Sequence, residues 1–226
     1  MVSCLGLDVS AWWKEVWSWD RVKDVVRSLS GRLGFEKGNE LRFFRLRVDL
    51  NNGEVYDEIL DRYLTERERY GLYYVLYNYA QTKEDVGEVG ELIQLSQICP
   101  AIHCPMAKTN MEAFEKLVET VFASQLSLLY KAAEPFKYEK IDLGDAAVKV
   151  YTLPRVPIVV AIWLGEEGIP PSISILFDKS ITNYLECEAA QIMSGVLLAR
   201  LIISLAKTTD IDTSYIKHAY RYQCTE

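Results

Sequence analysis

The sequence predicts an α+β fold, with an antiparallel sheet (a C-terminal three-strand meander plus an N-terminal hairpin) packed with about four helices. Three observations carry that expectation. Residues 146–153, 158–164 and 172–177 are strand-like runs joined by short connections holding Pro154, Pro157, Pro170 and Pro171, the pattern of a meander. Asn51-Asn52-Gly53 stands between a strand-like run and Val55-Tyr56, a strong hairpin signal. The order helix, hairpin, helix, strand, helix, three strands, helix reads as α+β rather than as a doubly wound parallel sheet.

The elements follow in order. Residues 8–33 show helical spacing: Val9, Trp12, Trp13, Val16, Trp19, Val22, Val25, Val26 and Leu29 fall near one face. Asp8 or Ser10 suits its start and Gly31 its end. Residues 41–50 alternate Leu41, Phe43, Leu46 and Val48 with Arg42, Arg45, Arg47 and Asp49 and read as one strand. Residues 57–80 read as a long helix with a tyrosine stripe, Tyr63, Tyr70, Tyr74 and Tyr77. Such a stripe packs a core with its hydroxyls at the rim more often than it lines a ligand pocket. Residues 91–98 read as a short strand. Residues 110–131 read as a helix capped by Asn110 and stopped by Pro135. Residues 186–207 form the closing helix, whose wide apolar belt predicts that it lies across the sheet. The domain reading is an N-terminal Trp-rich helix (1–34), an α+β domain (35–207) and a C-terminal tail (208–226).

Composition bounds the function. The chain has 226 residues, 50% of them apolar and 25% charged, ordinary for a folded domain and against disorder. A net charge of −7 argues against a general nucleic-acid binder. No basic n-region and apolar h-region opens the chain, so no secretory signal is expected. The apolar runs 157–165 and 196–206 are too short to span a bilayer, and Arg200 interrupts the second. Five cysteines, an odd number, do not form a secreted disulfide framework. A cytoplasmic protein is the expectation.

The second half carries a pattern of its own. Gly144-Asp145-Ala146-Ala147 leads to Leu153-Pro154-Arg155-Val156-Pro157, then Trp163-Leu164-Gly165-Glu166-Glu167, Pro170-Pro171, Ile175-Leu176-Phe177-Asp178 and Tyr184-Leu185. This resembles the prokaryotic DUF3786 family, known mainly from anaerobic bacteria and archaea. The resemblance extends loosely over residues 41–207. Where the family has Asp after the turn glycine, a second Glu and Phe, this chain has Glu166, Gly168 and Ile169. The resemblance implies no reaction. It implies a context: some relatives look like partners or fusions of iron–sulfur and corrinoid proteins of anaerobic one-carbon metabolism.

Two constellations are candidates for chemistry. Cys99, His103 and Cys104 place two thiols and an imidazole within six residues, the ligand types of Zn²⁺, haem or a thiolate cluster. Each cysteine precedes a proline, which biases the segment toward an extended loop. A closed zinc site needs a fourth ligand, such as Cys187, His218 or a carboxylate. Buried cysteines and a hydrogen-bonded histidine are the plainer reading. The acids Asp145, Glu166, Glu167 and Asp178 are candidates for general acid–base work if the fold gathers them. The strand between Glu166 and Asp178 is about 20 Å long at ~3.3 Å per residue, which separates them, and solvated turns with a capping Asp178 are the plainer reading.

No phosphate loop, nucleophile elbow or dinucleotide fingerprint appears. The tryptophan-rich first helix, with Trp12, Trp13, Trp17 and Trp19, is a candidate docking surface for a protein partner. Its mixed polar face argues against a membrane. The expected function is a non-catalytic accessory or binding protein; the alternatives are a metal or haem binder and a carboxylate enzyme.

Overall fold

The computed structural model describes residues 9–98, 121–122 and 124–209. Two antiparallel sheets share one core with the helices. The first sheet has the order β1-β2-β3-β4, from Glu40–Phe43, Leu46–Asp49, Val55–Asp57 and Arg62–Tyr63. The second is a meander of β6 (Tyr138–Lys140), β7 (Ala146–Leu153), β8 (Val156–Trp163) and β9 (Ser172–Asp178), with β5 (Leu92–Gln94) added beside β9. Among the described residues the helices are α1 (Val9–Trp17), α2 (Trp19–Arg27), α3 (Glu66–Ala80), α4 (Leu95–Ile98), α5 (Ser127–Ala133), α6 (Ile181–Tyr184) and α7 (Cys187–Thr208). The fold is α+β, as the sequence predicts.

Strands β7 to β9 form where the apolar runs demanded them. Val148, Val150, Ile158, Val160, Ile162 and Phe177 are fully buried on the inner face. They join one core with Met193, Leu197 and Leu201 of α7. Two-residue periodicity then puts Ala147, Lys149, Tyr151, Pro157, Val159 and Asp178 on the outer face. Among the described residues, α7 is the one helix long and apolar enough to cross a membrane, and 72% of its most apolar window is buried inside the fold, as in a core helix.

Several elements differ from the expectation, each for a physical reason. The first helix is two, broken at Ser18, whose ψ of 153° is extended and whose carbonyl starts α2. The break lets neighbouring tryptophans serve different partners. The Trp17 ring lies 4.7 Å from that of Tyr74 and 5.5 Å from that of Tyr77. The Trp19 ring lies 5.5 Å from that of Tyr73 and covers Gly53 so closely that a Cβ there would meet it at 2.3 Å. Gly53 also has φ +79°, so the Asn51-Asn52-Gly53 turn needs its glycine twice over. Tyr73 donates its hydroxyl to the Gly53 carbonyl. The side chains of Trp13, Trp17 and Trp19 thus pack inward on α3 and the hairpin turn.

The run 41–50 is a hairpin rather than one strand. Phe44 and Arg45 turn it with φ values of +47° and +61°, the geometry of a two-residue turn that asparagine and glycine usually occupy. Left-handed backbone costs a residue with a Cβ about 1–2 kcal/mol. Burial of Phe44 against Phe136, ring centroids 4.5 Å apart, offsets it. So do hydrogen bonds to the Arg45 carbonyl from the Glu58 amide (3.0 Å) and Arg200 Nη2 (3.4 Å).

The helix expected over 57–80 begins only at Glu66. Asp57 is the reason. Its carboxylate accepts from the amides of Ile59 (2.9 Å) and Leu60 (3.1 Å), turning the chain out of β3 toward β4. Helix α3 then starts with a capping box: Glu68 N donates to Thr65 Oγ1, and Thr65 N to Glu68 Oε2 at 2.7 Å. Residues 91–98 are strand β5 followed by the short α4. Within the helix expected over 110–131, residues 127–131 fall in α5 and residues 110–120 lie outside the described residues. The tail beyond residue 209 does so as well.

Asp57 also meets Arg200 from the middle of α7. Arg200 Nη1 lies 2.6 Å from Asp57 Oδ2, both side chains are buried, and the guanidinium sits 5.1 Å from the Phe44 ring centroid. Removing one partner of a buried pair strands the other charge, at a cost of about 3–5 kcal/mol. Arg200→Met should therefore lower the urea midpoint by that equivalent. Asp57→Leu/Arg200→Met should recover part of it, but not the turn at Ile59 and Leu60.

Candidate functional site

The outer face of the five-stranded sheet holds the densest group of functional side chains among the described residues. Its floor is apolar: Ala147, Val159 and Ala161 are buried there, with Ile141, Leu143, Trp163 and Leu176 packed around them. Lys149 and Tyr151 rise from β7 beside this floor. They stand two residues apart, so the pleat sends both to the same face. Lys149 Nζ lies 3.0 Å from Glu88 Oε2 and 2.8 Å from Glu139 Oε2. The Tyr151 hydroxyl lies 2.8 Å from Glu88 and 3.0 Å from Glu139. Lys137 places its ammonium 4.1 Å from the Tyr151 ring centroid.

Glu88 belongs to a strap, residues 82–91, that joins α3 to β5 without regular structure. Polar side chains pin it along its length. The Asp178 carboxylate accepts from the amides of Val89 (3.0 Å), Gly90 (2.6 Å) and Ser180 (2.9 Å). Arg155 Nε reaches both Asp85 oxygens at 3.0 and 2.9 Å. Tyr184 donates to Asp85 at 2.7 Å and accepts from the Gly87 amide at 2.9 Å. Asn183 donates to the Glu84 carbonyl at 2.7 Å. Between strap and sheet lies a cavity of about 150 Å³, lined by Glu88, Gly90, Leu92, Ile141, Lys149, Pro157, Val159 and Asp178.

The electrostatics follow from this pairing. Burial alone would lower the pKa of Lys149, but hydrogen bonds to Glu139, Glu88 and Tyr151 outweigh it and push the value up. Burial, then the bond to Glu88, push the Tyr151 phenol up to about 12. The bond from Lys149 holds Glu139 below the ordinary carboxylate range. Burial would raise Asp178, yet the hydrogen bonds from Ser180, Val89 and Gly90 hold it low. The bond from Tyr184, then that from Arg155, hold Asp85 low.

The four acids singled out in the sequence are not brought together. The Asp145 carboxylate accepts from the Leu164 amide at 2.6 Å, at the end of β8 where Glu166 and Glu167 lie exposed on the following turn. Asp178 stands at the other end of the sheet, since Ala146 pairs with Ile162 while Phe177 pairs with Ile158. Four residues of β8 separate the two levels, about 13 Å at ~3.3 Å per residue. Asp178 does not cap the following turn alone; it holds the strap.

Cys99, His103 and Cys104 lie outside the described residues. No group of three His, Cys, Asp or Glu side chains among the described residues could hold a metal ion. Cys187, a candidate fourth ligand, is the first residue of α7. Sequence reasoning missed Lys149, Tyr151 and Glu88. A lysine and a tyrosine two apart within an otherwise apolar strand were the available signal. Glu88 had none, because its partners lie 61 and 63 residues away.

Asp178 generates a pH prediction. A carboxylate whose folded pKa is depressed adds stability above the ordinary carboxylate range and loses it as pH falls through the folded value. Wild type should lose more stability than Asp178→Asn between about pH 7 and about pH 3. At neutral pH the variant should speed amide hydrogen exchange at Val89 and Gly90. Urea unfolding and exchange by NMR measure the two effects.

No curated protein and no solved structure matches the chain. The model of the domain of unknown function DUF3786 matches residues 23–200, from within α2 to Arg200 in α7. That span takes in both sheets, the strap, and every residue of the cleft beneath it. The chain belongs to the DUF3786 family.

Proposed function

We propose that this chain is a non-catalytic accessory protein, and that the cleft between the strap and the outer sheet face is where it binds. One observation carries the reading: the ionisable groups of the cleft are committed to one another rather than poised for proton transfer. Lys149 is held as the ammonium by two carboxylates, and Tyr151 as the neutral phenol. Asp178 spends its lone pairs on three amides. A general acid or base works best with a pKa near the operating pH, and every shift here runs away from neutrality. The cleft retains an apolar floor, a few convergent polar groups and a cavity of about 150 Å³, the ingredients of a small binding site. The family context suggests, as part of this proposal, that the protein serves cofactor or redox proteins of anaerobic metabolism.

Carbon-detected NMR titration of the Asp and Glu carboxyls and the Lys149 Cε tests the reading. Lys149, Glu139 and Asp178 should not titrate between about pH 6 and about pH 8. A cleft group with its midpoint in that interval would overturn the proposal in favour of acid–base catalysis.

A further inference from the structure

The Glu88 carboxylate is received by two donors that converge from one strand, Lys149 Nζ at 3.0 Å and Tyr151 Oη at 2.8 Å. An ammonium and a phenol aimed at one carboxylate make a carboxylate-receiving site. Glu88 is not needed to neutralise Lys149, because Glu139 already lies 2.8 Å from the same ammonium. Lys149 therefore keeps a carboxylate partner when Glu88 leaves, and the Lys137 ammonium beside the Tyr151 ring adds a second cation to the site.

The backbone on either side of Glu88 is pinned by Tyr184 and Asp178, so it is the Glu88 side chain, 36% exposed, that would leave the two donors. Gly87 and Gly90 flank Glu88 with φ values of +69° and +82°, and a Cβ on either would meet nothing within 4 Å. Open space therefore lies beside Glu88 at both positions. Val86 and Val89 project outward, 46% and 60% exposed, although an apolar floor of Leu92, Ile141, Pro157 and Val159 lies beneath the strap. Cavities of about 150 Å³ accept ligands of about six non-hydrogen atoms.

We propose that the cleft binds a short aliphatic carboxylate, whose carboxylate replaces that of Glu88 on Lys149 and Tyr151 and whose chain lies on the apolar floor. The inference rests on the reading of the cleft as a binding site. Glu88 is then an internal stand-in for the ligand. Exchange of one carboxylate for another conserves charge and hydrogen bonds, so the chain of the ligand supplies the preference through apolar burial. A tethered competitor also lowers the apparent affinity by the fraction of time that it holds the site.

The test is an NMR titration of the full chain with sodium butyrate, read at the methyl groups of Leu92 and Val159. Glu88→Ala should bind butyrate at least about tenfold more tightly than wild type, by relief of that competition. Tyr151→Phe in the Glu88→Ala background should weaken it severalfold without changing the charge, and Lys149→Met should abolish it. n-Butylamine, of similar size and opposite charge, should shift none of these signals. Equal affinity of wild type and Glu88→Ala would overturn the inference. So would binding that survives Lys149→Met, or a preference for butylamine. A response to an acetylated tripeptide ending in a valine carboxylate, with none to butyrate, would overturn the assignment to a free small acid. Failure of butyrate leaves the titration test of the non-catalytic reading untouched, so the two proposals fail separately.

Discussion

A guanidinium buried in the middle of the closing helix α7 has to meet a carboxylate, and Asp57 is placed to meet it. Much of the N-terminal half follows from that requirement. Asp57 ends β3, so the first sheet is registered against α7 by a polar contact rather than by apolar packing alone. Its other oxygen turns the chain toward β4. Arg200 also lies over Phe44 and bonds the Arg45 carbonyl, so the turn that has no glycine is held by the same residue. Buried ion pairs add little net stability over an apolar replacement, and their better-attested use is to select one arrangement among several. Here the arrangement selected is the position of the small sheet on the closing helix.

The second sheet obeys a different logic, and that difference explains how much of the fold was legible. Strands β7 to β9 and helix α7 follow from apolar periodicity, a local property that the sequence displays openly. The turn at Phe44 and Arg45 does not, since its residue types oppose its backbone geometry and only tertiary contacts enforce it. The late start of α3 was partly legible. Thr65 and Glu68 form a capping box three residues apart, a signal that the continuous tyrosine spacing obscured. The break at Ser18 was hidden because the tryptophans on either side keep helical spacing while they pack against different neighbours.

The site was less legible than the fold. Acids that are conspicuous in sequence, Glu166 and Glu167, sit on an exposed turn, while Asp145 and Asp178 serve backbone amides at opposite ends of the sheet. The side chains that meet over the sheet come from the strap, β6 and β7, and their proximity is set by strand register. Register is a long-range property, fixed here by the meander and by the three amides that Asp178 gathers. A reader of the sequence could note that Lys149 and Tyr151 interrupt an apolar strand on alternate positions, but not which carboxylates they meet.

The five-stranded sheet ends, on both sides, in strands of only three residues, β5 and β6. A sheet edge is a template for further chains, and a short one offers few free amides and carbonyls to copy. Strand β6 carries Glu139 and Lys140 on that border, and β5 is followed at once by a helical turn. Among the described residues, neither edge of this sheet offers a neighbouring molecule a long, flat ribbon to extend. The longest and most apolar strands, those most prone to aggregate if bared, are kept in the interior of the sheet, so the brevity of its outermost strands guards the molecule against fibrous self-association.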